Sequence, residues 1–133
     1  MKIRLLLLLS LFGLGMAVAT VYLIPSDSEP VFWLPIFIIC AVMIARETPA
    51  KRFLHGVVLG LLNAVWITAV HILLFDQYIA NHSREAEMLA TMPLPDSPKL
   101  MMLITGPVIG LLSGIVIGLF ALVASRFLTP RKS

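Results

Sequence analysis

The chain has 133 residues, of which 59% are hydrophobic and 13% charged, with a mean hydropathy of +1.00. Soluble domains run to about 45–50% apolar even with glycine counted, so a water-soluble globular domain is excluded and one membrane domain is indicated. The net charge of +3 raises nucleic acid as a partner, but the placement of the basic residues along the chain assigns them another role.

Helices are expected over about 5–24, 31–46, 53–76 and 100–127. The first apolar stretch, Leu5 to Ile24, meets the roughly 20 residues needed to cross about 30 Å of hydrocarbon. Met1-Lys-Ile-Arg before a leucine run, with Ala17-Val-Ala19 behind it, also resembles a secretory signal peptide cleaved after Ala19. The apolar run continues through Ile24, and Gly13 and Gly15 suit a packed helix, so the segment is expected to be retained as a span. Pro25 to Pro30 is a short polar turn of the kind that joins antiparallel neighbours.

The second stretch is short. Phe32 and Trp33 suit an interfacial aromatic belt, Pro35 suits a first helical turn, and Arg46 is expected to snorkel or the bilayer to thin. The single cysteine, Cys40, reads as a small apolar filler. A basic turn, Arg46 to Arg52, leads into the third stretch.

On that third helix Gly56, Gly60, Ala64 and Thr68 form a ladder of small residues spaced by four. Asn63, His71, Tyr78, Asn81, His82 and Glu85 fall within about 100° of one another at 100° per residue, on the ladder's own face. Asn63 and His71 lie inside the hydrocarbon, where polar side chains face a bundle interior or a water-filled cavity. From Gln77 to Thr91 there is no glycine or proline, so the helix is expected to extend into water on the outer side. Asn81-His-Ser83 matches a glycosylation sequon, which reads as chance in a helix beside the membrane. Pro93 to Pro98 is expected to be a stiff extended return.

The last stretch carries Gly106, Gly110, Gly114 and Gly118. Glycine costs a helix about 1 kcal/mol against alanine, and in a bilayer the compensating gain is close backbone contact. Spans matched by depth put Ala64 near Ser113 and Gly114, and Gly60 near Ile117 and Gly118. The two ladders read as a contact within the chain, or as one between two copies. Pro107 leaves the Leu103 carbonyl without its helical donor. Depth matching sets His71 opposite Gly106-Pro107, so a neutral His71 is the expected donor to that carbonyl; carrying a proton, binding a ligand or simple access to outer water are the alternatives.

If four helices alternate direction, Lys2, Arg4, Arg46, Lys51, Arg52, Arg126, Arg131 and Lys132 fall on one side, and only Arg84 and Lys99 on the other. Cytoplasmic flanks collect lysine and arginine, so both termini are expected in the cytoplasm and no nucleic-acid partner is indicated. His82 and Glu85, at i and i+3, can reach one ion, but His71 lies about 16 Å along the helix from His82; no metal site and no cofactor are expected. The chain lacks any nucleophile–base motif, phosphate loop, paired intramembrane carboxylates or HExxH, so it is expected not to be an enzyme.

From Arg46 to Lys132, the basic turn, the glycine-bearing helix with its polar extension, and a last helix entered through Pro107-Val-Ile-Gly110 resemble an uncharacterised bacterial family, domain of unknown function 4199. The resemblance implies a four-helix inner-membrane protein and carries no activity or site residues. The whole chain therefore reads as an all-α polytopic protein of the bacterial inner membrane, four helices in an up-down-up-down bundle. The expected function is non-enzymatic helix packing, either self-associating or as a small accessory subunit of a larger membrane protein. The alternative is a small oligomeric transporter or channel with Asn63 and His71 lining the path.

Overall fold

A computed structural model describes residues 1–91 and 96–128, and the side chains within its helices except those of Ser26, Glu85 and Leu89. The described chain is helical: α1 (Ile3–Leu9), α2 (Leu11–Tyr22), a 3-10 turn at Ser26–Ser28, α3 (Glu29–Glu47), α4 (Arg52–Leu73), α5 (Phe75–Asn81), α6 (Ser83–Thr91) and α7 (Pro98–Ala124). Four stretches, Ile3–Tyr22, Glu29–Glu47, Arg52–Leu73 and Pro98–Ser125, are long and apolar enough to cross a bilayer. The expected extended return over Pro93–Pro95, and the basic residues Arg131 and Lys132, lie outside the described residues.

α1 and α2 form one span with an irregularity at Ser10. The Ser10 amide donates to Leu6 at 2.9 Å and the Leu14 amide to Ser10 at 3.1 Å, so the helical ladder carries across. The Ser10 hydroxyl donates to the Leu7 carbonyl at 2.7 Å, and such back-bonding competes with the ladder and bends helices.

Three expectations about the elements need correction. The second span is not short: α3 has 19 residues, about 28 Å at 1.5 Å per residue, because it starts at Glu29. Pro30 takes the helix start, where its missing amide costs nothing, and Pro35 sits inside the helix. The polar extension of the third span is not one helix with it. The chain breaks at Leu74 (φ −110°, ψ 35°) and again at His82 (φ −135°, ψ 73°), giving α5 and α6. With these breaks α5 lies against the end of α2, where Asn81 and His82 find backbone acceptors. The last span opens at Pro98, a proline at the helix start, and closes at Ala124.

The short turn after α2 does not make α2 and α3 close neighbours. α1–α2 packs on α4, α4 on α7, and α7 on α3. At the end that carries Met1, Lys51 and Ser125 the four spans converge on Leu6, Ile44, Leu59, Ile117 and Ala121, each 0% exposed, with Cys40 buried among them. α3 packs on α7 and has little contact with α4, and towards the opposite end a cavity opens between the three.

Candidate functional site

α4 is the centre of the molecule because it has two differently built flanks. On one, small residues meet small residues of α7 in antiparallel order: Gly56 against Gly118, Gly60 against Gly110 and Gly114, Ala64 against Gly110, Thr68 against Gly106. A methyl placed on Gly114 would lie 2.6 Å from the Val57 carbonyl oxygen, well inside van der Waals contact, so only glycine permits this approach. The register differs from the expected one by a turn, since Ala64 faces Gly110 rather than Ser113 and Gly114. Depth matching treats the spans as equal, whereas α7 has 27 residues and α4 has 22. Packing sets the register where rung meets rung, because that brings the backbones closest.

The other flank of α4 is a seam of polar contacts to α1–α2, running in parallel order from one end to the other. The backbone amide of Lys2 donates to His55 Nε2 at 3.2 Å, and His55 Nδ1–H donates to the Lys51 carbonyl at 2.7 Å, which fixes that ring's tautomer. Lys51 itself is in the left-handed region at φ 58°, ψ 34°, a strained conformation for a side chain without local hydrogen bonding, and the His55 ring braces its carbonyl. Trp66 Nε1–H donates to Ser10 Oγ at 3.0 Å. Asn63 lies against Gly13, where a Cβ on the glycine would overlap the carboxamide.

At the far end the seam centres on Thr20. Its hydroxyl donates to the Ala17 carbonyl at 3.1 Å, so its lone pair is left to accept His71 Nε2–H at 2.9 Å. His82 Nε2–H donates to the Thr20 carbonyl, and Asn81 Nδ2 donates to the Val21 carbonyl at 2.6 Å. These carbonyls belong to the last turn of α2, which has no helical donors for them, so α5 caps α2 with side chains. The rings form a column: His71 on Tyr78 at 4.2 Å, and Tyr78 on His82 at 4.4 Å. His71 therefore does not donate to Leu103; a hydroxyl on α2 lies within reach, and the ring turns to it.

The cavity between α3, α4 and α7 has a volume of about 540 Å³. Its walls are mainly apolar, with Trp33 and Phe37 from α3, Ile67 from α4, and Met102 and Ile109 from α7. Asn63, His71 and Tyr78 add polar points, and Glu29 is the one charged side chain among the described lining residues. Met88 of α6 also lines it, and an exposed Arg84–Asp27 pair at 2.8 Å ties α6 to the turn before α3. Asn63 is 4% exposed, and its carboxamide oxygen has no hydrogen-bond partner among the described residues.

Of the residues singled out from sequence, the fold brings His71, Tyr78, Asn81 and His82 together around Thr20, while Asn63 stands apart, about two turns away along α4. The Glu85 side chain lies outside the described residues. Pro107 is exposed inside an unbroken α7. Among the described residues no group of three or more histidine, cysteine, aspartate or glutamate side chains is placed to hold a metal ion. Sequence reasoning passed over Ser10, Thr20 and His55. The signal was present, since each is a polar residue in an apolar run, but which of them had a partner depended on which helices touch. No protein-family model, curated protein or solved structure matches the chain. The residues themselves describe a helical membrane protein whose polar groups lie between its spans.

Proposed function

We propose that the chain is a multi-pass protein of the bacterial inner membrane, its four spans running up-down-up-down with both termini cytoplasmic, that acts through helix packing and not through catalysis. Lys2, Arg46, Lys51, Arg52 and Arg126 lie at the end where the spans converge, which supports the orientation from basic flanks. The observation that carries the reading is that polar side chains within the bundle are spent on its own assembly: His71 on Thr20, His82 and Asn81 on the end of α2, Trp66 on Ser10. The α7 ladder is likewise occupied by α4, which favours a small accessory subunit over self-association through that ladder. The test is His71→Ala, with native mass spectrometry in nanodiscs and a flux assay in liposomes. A packing protein loses stability in the variant and shows no flux in either form; a stable variant with altered solute or proton flux overturns it.

A second reading, a small transporter or channel, is favoured by the cavity, since Asn63 and His71 both line it. Under that reading the same liposomes show flux in the parent protein.

A further inference from the structure

We propose that the cavity between α3, α4 and α7 is a binding site for an uncharged lipophile that carries a carbonyl oxygen, with Asn63 as its hydrogen-bond donor. The site concerns binding alone and holds whether the protein packs or transports. The cavity extends along α7 from Met102 to Ser113, about 16 Å at 1.5 Å per residue, and its volume of about 540 Å³ lies within the roughly 300–1,000 Å³ of small-molecule sites.

Assembly of the bundle leaves Asn63 unused. It stands midway along α4, about 15 Å from either end, where a polar side chain without a partner is costly in lipid. Yet the residue is 4% exposed, and among the described residues its carboxamide makes no hydrogen bond. By contrast the hydroxyls of Ser10, Thr20 and Thr105 bond back to their own helices. The carboxamide oxygen is turned to Gly13 of α2, while Asn63 also lines the cavity, so the end it presents there is the amide, which only donates. Ser113 of α7 supplies a second donor, since its hydroxyl makes no hydrogen bond to a described residue. The rungs that pair Ala64 with Gly110 and Gly60 with Gly114 bring Ser113 within about one helical turn of Asn63 in depth.

A ligand seated between these two residues has to offer an acceptor. It also has to be neutral, because the lining at this depth is Gly60, Asn63, Ala64, Gly110 and Ser113, none of them charged, and a lone charge at mid-membrane is expensive. Glu29 stands at the end of α3, not at this level. A carbonyl oxygen meets both demands, since it accepts two hydrogen bonds and carries no charge. Trp33 and Phe37 of α3, with ring centroids 5.6 Å apart, receive the apolar body together with Ile67 and the adaptable thioether chain of Met102.

The probe is benzophenone, an uncharged diaryl ketone that near-ultraviolet light inserts into neighbouring C–H bonds, titrated into nanodiscs that hold the protein. Intact mass gives the stoichiometry and peptide fragmentation the position. The expected result is labelling that saturates at one adduct per chain, on cavity residues such as Ile67 or Met102. Fluorenone should suppress the labelling, whereas fluorene, the same skeleton with a methylene in place of the carbonyl, should compete at least tenfold more weakly at equal concentration in the membrane. Asn63→Leu should raise the half-saturating concentration about tenfold and Ser113→Ala by less, each variant first matched to the parent by thermal unfolding. Labelling that does not saturate or that scatters over lipid-facing residues, equal competition by fluorene, or an unchanged half-saturation in a folded Asn63→Leu variant overturns the proposal. The comparison of fluorenone with fluorene needs no variant, so the test stands even if a substitution disturbs folding.

Discussion

Replacing Gly114 by alanine is the sharpest probe of the α4–α7 contact. The added methyl would lie 2.6 Å from the Val57 carbonyl oxygen, 2.7 Å from the Val57 Cα and 3.0 Å from the Gly56 carbonyl oxygen. Ordinary contact begins at 3.4 Å, so the shortfall is 3.4 − 2.6 = 0.8 Å, and all three obstructing atoms are backbone. Two helices have to part, and a gap of about 0.5–1 Å forfeits a quarter to a half of each dispersion contact along the neighbouring rungs. The expected loss is about 1–3 kcal/mol, or roughly five- to 150-fold in the unfolding equilibrium. Gly15 on α2 supplies the control, because a Cβ there meets nothing within 4 Å. Gly15→Ala should instead stabilise the helix by about 0.5–1 kcal/mol. The assay is reversible unfolding in mixed micelles with increasing dodecyl sulfate, followed by far-ultraviolet circular dichroism. The reasoning fails if Gly114→Ala is as stable as the parent, or if both substitutions move stability in the same direction.

A double-mutant cycle on Thr20→Val and His71→Phe should give a coupling of about 0.5–1.5 kcal/mol in the same unfolding assay, and additive single effects would deny the hydrogen bond any energetic weight. Arg84→Ala should change stability by less than about 0.5 kcal/mol, because its pair with Asp27 is largely exposed; a large loss in the same titration would mean that α6 is held by this pair. Because α1–α2 supplies the acceptors of the seam, the first span should remain in the mature protein, and intact-mass measurement of membrane-extracted material finding a chain that starts at Thr20 would contradict this.

Much of the helical content was legible, because an apolar run of sufficient length has few alternatives in a bilayer and the glycine spacing marks a face for close approach. The pairing of the two ladders was legible too, from their shared period, although the rung-to-rung register was not. The polar extension misled: Gln77 to Thr91 contains no helix breaker, yet the chain breaks at Leu74 and His82. No local residue announces those breaks. They accompany hydrogen bonds to Thr20 and Val21, about 60 residues away in sequence. His71 was likewise recognised as needing a partner and given the wrong one.

Sequence by itself determined that this protein lives in a membrane, how many spans it has, and which face of α4 and α7 brings backbones together. These follow from hydropathy and side-chain size, which are properties of a residue and its helical neighbours. Tertiary structure alone decided that α1–α2 lies along α4, that α3 leaves α4 to open a cavity, and that Thr20 gathers His71 and His82. Lipid is as apolar as the spans, so the hydrophobic effect does not order them within the bilayer. The choice falls to shape and hydrogen bonding between helices, and a partner on another helix has no trace in the local pattern.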